Sequence, residues 1–241
     1  MRPFGILLAS ANLFQFLVLL SGEKATCFEF PNPVSQFLKP ILNNDLPPPQ
    51  MLLEELENLI SMAPRNGIDT PVELESQILD VCQQLERQQN PNISPSKRPD
   101  LMNGFWNMRW TNFEPAAPSS GKLGPLVGDV FQDIDLDRSV AKNILRVNFP
   151  PICGALTAKT SAVNDSTVAI TFDTVLNKIG GFLPLGPKVV FEPGKEVRLW
   201  EHVYLDESYR ILYARRREEK EERGFVYVMK RADELRFDVP E

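Results

Sequence analysis

From Asn103 onward, glycine, proline and asparagine cut the chain into short runs rich in valine, isoleucine, phenylalanine, tyrosine and tryptophan. Runs of that length and composition, bounded by turn formers, are the signature of an all-β domain. Candidate strands fall near 104–111, 127–135, 142–148, 153–162, 167–173, 187–191, 196–205, 209–215 and 224–230, about nine in all, which is the right number for a closed antiparallel β-barrel. Side chains alternate across a strand, so Val168, Ile170 and Phe172 share one face. In the run at 196–205, Val197, Leu199, Val203 and Leu205 share one face and Arg198, Trp200, His202 and Tyr204 the other, and the pattern leaves open which of the two lines the interior. A barrel of about eight strands has room inside for little more than one small ligand.

Composition narrows the function. The 241-residue chain is 43% hydrophobic and 24% charged, with a formal net charge of -6, so it carries no general basic field for a phosphate backbone and nucleic acid is not an expected partner. The single histidine, His202, rules out a multi-histidine zinc site, and Cys27, Cys82 and Cys153 have no CxxC spacing, so neither a metal nor any other cofactor is expected. No G-x-S-x-G elbow accompanies that histidine, which argues against hydrolase chemistry. A Cys82–Cys153 disulfide is the one pairing open to a mature chain, and the sequence does not favour it.

The first residues read as an address. Arg2 precedes an apolar run at 4–20, and Ala25-Thr26-Cys27 offers a signal-peptidase cut before Phe28, giving a signal peptide at 1–27. A phenylalanine exposed by such a cut resembles the bipartite presequences of algae with secondary plastids. On that likeness 28–49, rich in proline, is a transit-peptide-like leader and the destination is the plastid. The sequons at Asn92 and Asn164 are compatible with a plainly secreted protein instead.

The segment 50–100 reads as helices followed by a linker. Leu52, Leu56, Leu59 and Ile60 share one helical face over about 50–62, closed by Pro64 and Gly67. Thr70-Pro71-Val72-Glu73 has the form of an N-cap, a proline at the first helical position and a capping box, opening a helix to about Gln89. Leu74, Ile78, Val81, Cys82 and Leu85 give that helix an apolar stripe suited to covering a core. Residues 90–100, with three prolines and no periodicity, are the linker.

Within 101–235 an ordered set of motifs resembles one family. Asn103-Gly104-Phe105-Trp106 with Arg109-Trp110-Thr111, then 130–135 (VFQDID), then 203–211 (VYLDESYRI), then 225–228 (FVYV) are similar, in that order, to the plastid lipid-associated proteins, or plastid fibrillins. The charged tip 215–223 (RRREEKEER) is longer than the family's usual turn, and its near-balanced charge reads as a solvated hairpin end. The resemblance implies a lipocalin-like barrel preceded by a helical segment. It also implies non-enzymatic binding or sequestration of apolar lipids such as isoprenoids or quinones, and peripheral contact with a plastid membrane, thylakoid or plastoglobule. By the same likeness Trp106 pairs structurally with Arg210 at the closed end, and Trp106, Trp110, Phe172, Trp200, Tyr204, Tyr209 and Arg210 are the candidate ligand-binding residues of the barrel. Asp206 stands four residues before Arg210, placed to pair with it. Two other functions compete: a structural coat for lipid globules, and a lipid isomerase or cyclase using Asp206, Tyr209 and Arg210 as acid, phenol and cation. The proline-bearing connections 149–152 and 182–187 are apolar enough to form a rim for either binding role if they lie at the mouth, and the competing reading, which is favoured, is that they pack as loops over the barrel end.

Overall fold

The computed structural model describes residues 46–113, 117–219 and 223–232, so the signal-like segment 1–27 and most of the leader 28–49 lie outside the described residues. Two amphipathic helices come first, α1 (Pro49–Met62) and α2 (Val72–Arg87), joined through a 3-10 turn at Arg65–Gly67, and a single helical turn, α3 (Pro99–Met102), follows. The strands are β1 (Gly104–Thr111), β2 (Lys122–Leu123), β3 (Leu126–Val127), β4 (Asp129–Asp135), β5 (Val140–Val147), β6 (Ile152–Ala162), β7 (Thr167–Ile179), β8 (Leu183–Pro184), β9 (Val189–Val190), β10 (Val197–Leu205), β11 (Tyr209–Arg216) and β12 (Phe225–Arg231). Antiparallel pairing runs β1–β4–β5–β6–β7–β10–β11–β12 and back to β1, an eight-stranded closed barrel. The ninth expected strand, at 187–191, shrinks to the two residues of β9, which pair with β7 outside the ring.

The two ends of the barrel differ. The end where β1 begins is closed: Leu101 and Met102 of α3 join the interior cluster, and Met102 O accepts a 2.9 Å hydrogen bond from Trp106 Nε1. Arg231 holds that plug from the far side of the chain, donating to Asn103 O at 2.9 Å and to Leu101 O. The linker expected over 90–100 therefore ends in a structural plug, because Pro99 can start a helical turn whose next apolar residues have a barrel floor to enter. The opposite end carries the longer connections 112–128, 180–196 and 217–224.

Both helices lie on the outside of the barrel. Leu52 and Leu56 of α1 with Ile78 and Leu85 of α2 are fully buried against Val203, Tyr204, Ile211, Val226 and Val228 of β10–β12. Each such leucine or isoleucine contributes roughly 1.5–3 kcal/mol. Thr70 does not cap α2 as its sequence context implies. Its hydroxyl donates to Gly67 O at 2.7 Å and accepts from Trp110 Nε1 at 3.2 Å, so it tethers the helix joint to the barrel instead. Gly67 (φ 84°) has to be glycine there, since a Cβ would collide with Thr111 O and the Trp110 ring.

A polar clasp completes the joint. Tyr209 donates to Glu57 of α1 at 2.5 Å, and Lys230 reaches the same carboxylate at 3.3 Å. Burial alone would raise the Glu57 pKa, but the Tyr209 hydroxyl, Lys230 and Arg109 together hold it below its ordinary value. Tyr209→Phe should lower stability by about 1 kcal/mol through the lost hydrogen bond, read as a shift in the urea midpoint with m unchanged. A change under 0.3 kcal/mol would show the clasp to be decorative.

Candidate functional site

Two β-bulges decide which side chains face inward. On β1 the register slips between Met108 and Trp110, so Trp106 and Met108 point into the barrel while Trp110 points out. On β10 it slips between His202 and Tyr204, so Trp200 and Leu205 belong to the interior cluster and Val203 and Tyr204 pack beneath the helices. Strict alternation across 197–205 fails for that reason, whereas Val168, Ile170 and Phe172 share the inner face of β7 as expected.

The seven candidate residues consequently separate into three groups. Trp106, Trp200 and Arg210 meet at the floor, with the Arg210 guanidinium 4.9 Å from the Trp106 ring centroid and 5.8 Å from that of Trp200. Arg231 also lies over Trp106, at 4.3 Å. Phe172 is half-buried at the open end, 5.8 Å from Phe191 and covered by the Arg198 guanidinium at 5.4 Å. Trp110, Tyr204 and Tyr209 are not barrel-lining residues at all; they pack with α1 and α2 outside the wall. Asp206 does not pair with Arg210 either. It accepts from the backbone N–H groups of Ser208 and Tyr209 at 2.6 Å and from the Tyr204 hydroxyl at 2.8 Å, fixing the β10–β11 turn. The acid, phenol and cation that a cyclase would need in one cup are on opposite sides of the wall.

The floor is polar as well as aromatic. Arg210, with no exposed surface, donates through Nη2 to Gln132 Oε1, while its Nε and Nη1 have no partner. Burial, then the neighbouring Arg231, pulls its pKa down to about 9. His202 is 6% exposed, and its Nδ1 faces Ser166 O at 3.2 Å. A carbonyl only accepts, so Nδ1 carries the hydrogen and Nε2 is left as a lone pair without a partner. Burial, reinforced by Arg210, pushes the His202 pKa down to about 3. The ring is neutral across the physiological range.

Above the floor, Met108, Leu212, Tyr227 and Met229 fill the middle of the barrel. The mouth is looser and aromatic, with half-buried Phe113 set edge-on to Phe225 at 4.7 Å. Beyond it, Phe149 is 88% exposed, Phe182 79% and Leu183 56%. The connections that carry them are tied together by a 2.8 Å hydrogen bond from Gly180 N to Pro151 O. Sequence reasoning singled out these two connections, favouring loop packing over an exposed rim, and missed the inward residues Gln132, Asn143, Met108 and Met229. The spacing of Phe225, Tyr227 and Met229 groups one face of β12, but Val226 and Val228 on the other face are as apolar, so no sequence signal says which face turns inward.

Among the described residues no group of histidine, cysteine, aspartate and glutamate is arranged to hold a metal, and Cys82 and Cys153 are free and buried. No helix among them is long and apolar enough to cross a membrane.

A closed eight-stranded antiparallel barrel with one plugged end, an aromatic mouth and helices on its outer wall defines a lipocalin-like class of protein. Residues 50–218 match the family model PAP_fibrillin, and the chain belongs to that family of plastid lipid-associated proteins, whose members are generally structural rather than catalytic. No curated protein and no solved structure matches the chain.

Proposed function

We propose that this protein attaches to lipid by the open end of its barrel and carries out no reaction there. The tips at Phe149, Phe182 and Leu183 enter the surface of a plastid membrane or plastoglobule, and the aromatic mouth behind them receives an apolar lipid. The observation that carries this reading is the exposure of those large apolar side chains on two connections bound to each other at the end opposite the α3 plug. On its β10 side β7 outruns the ring: it leaves β10 after Thr171 but runs on to Ile179, roughly 25 Å of strand at about 3.3 Å per residue, with only the short β8 and β9 paired along that edge. Arg146 and Lys178 stand close enough to Cys153, near the base of the tips, to act on its thiol, giving the projection a cationic collar suited to acidic headgroups.

Because both aromatic rings are exposed, Phe149→Glu with Phe182→Glu should leave the unfolding midpoint within about 0.5 kcal/mol of the parent. The same double variant should reduce the fraction that floats with phosphatidylglycerol-containing vesicles at least about tenfold, since each ring is worth on the order of 1.5–3 kcal/mol when buried. Unchanged flotation would overturn the reading. A coat function without a guest is the second reading, favoured by the filled middle of the barrel. Flotation of protein from which no lipid can be extracted would select it.

A further inference from the structure

The floor of the barrel holds a positive charge that two indole rings and one amide oxygen answer and that has no anionic partner among the described residues. Among the described residues no carboxylate acts on Arg210, and the one charge that does is a second cation, Arg231. Two of the guanidinium's donors, the Nε2 acceptor of His202 and the Oδ1 acceptor of Asn143 are all buried without a hydrogen-bond partner. Asn143 is the register partner of Gln132, the residue Arg210 does bind, so these groups lie on neighbouring strands of one wall and across from it. A folded chain rarely leaves a cation desolvated and half-bonded, because removing one partner of a buried charge is among the most destabilising changes known. The two free guanidinium donors are what an anionic group at the bottom of a cup would complete, while the two acceptors, His202 Nε2 and Asn143 Oδ1, call for an O–H or N–H donor beside it.

The way in is built from yielding side chains. Met229 is the register partner of both Arg210 and Met108, so two methionines stand beside Arg210 on the adjoining strands. An unbranched thioether repacks at little cost, and toward the open end the interior side chains give way to the half-exposed Phe113, Phe172 and Phe225.

We propose that the barrel floor is a head-group site for an acidic amphiphile, a long-chain carboxylate whose oxygens accept from the unused N–H groups of Arg210 while its chain runs past Met108 and Met229 to the mouth. His202 Nε2 takes an O–H from a water that bridges to the same head. This goes beyond the surface reading above by naming what enters the barrel, and it rests on that reading only in using the same open end. A neutral chain of equal length satisfies the apolar route and leaves the floor as it was, so charge is the discriminating property.

The test titrates the purified chain, without vesicles, with oleate, methyl oleate and oleyl alcohol below their aggregation limits. Tryptophan emission is the readout, since Trp106 and Trp200 flank Arg210, and native mass spectrometry counts the bound molecules. Oleate should saturate at one molecule per chain and bind at least tenfold more tightly than its ester or alcohol. Arg210→Gln should bring oleate down to the level of the ester. Equal binding of acid and ester by the parent protein, or oleate binding untouched in a folded Arg210→Gln variant, would overturn the proposal. Should that variant fail to fold, the comparison of acid with ester in the parent decides alone. Flotation reads the tips and this titration reads the floor, so either can fail while the other stands.

Discussion

Trp106→Ala is expected to lower the stability of the barrel by about 4 kcal/mol, the middle of the range for truncating a buried aromatic. The side chain has no exposed surface and lies under two guanidiniums, Arg210 at 4.9 Å and Arg231 at 4.3 Å. Truncation leaves a void between them, removes both cation–π contacts and orphans the Met102 carbonyl that Nε1 now satisfies at 2.9 Å. The plug at Leu101–Met102 then loses its main anchor, so the damage extends beyond the transfer energy of one indole. Urea denaturation followed by far-ultraviolet circular dichroism measures the change. A loss below about 1.5 kcal/mol would mean that the floor collapses around the void and that the plug is held by Arg231 alone.

Acid should weaken the protein through His202 in a window set by its two protonation equilibria. The unfolded chain titrates near the ordinary value of 6.5, whereas the folded pocket, by burial and then by Arg210, holds the imidazole neutral down to about 3. Below pH 6.5 the unfolded state takes up a proton that the folded state refuses, so this group's contribution is complete above 6.5. It declines as the pH falls toward 3. The slope approaches about 1.4 kcal/mol per pH unit, or about 2.5 kcal/mol between pH 6.5 and 4.5. His202→Gln keeps an N–H for Ser166 O and removes the titration, so the difference between variant and parent isolates this group from the carboxylates. Parallel stability curves for the two proteins over pH 4.5–7 would refute the assignment.

The β-class, the ring strands and the apolar helical faces were legible in the sequence because each rests on local periodicity, and the family likeness because it rests on an ordered set of motifs. What could not be read was the side of the wall. Val226 and Val228 meet the helices while Phe225, Tyr227 and Met229 face inward, and both sets are apolar, so hydrophobicity gives no clue to orientation on a wall covered on both sides. The bulges on β1 and β10 then reverse the phase within a strand, which is why Trp110 and Tyr204 look like lining residues and are not. Arg210 was visible as a partner for Trp106. Its isolation from any acid depends on Asp206 being turned outward into the β10–β11 turn, a fact of tertiary placement that sequence spacing alone points the wrong way on.

The placement of the helices against β10–β12 also sets the order of events in maturation. Glu57 finds Tyr209 only across 152 positions of sequence, and the stripes of α1 and α2 stay uncovered until the last strand, ending at Arg231, has arrived. A chain threaded into a compartment from its N-terminus therefore delivers its greasiest helices first and their cover last. A fragment truncated before Phe225 should accordingly aggregate rather than persist as a smaller barrel.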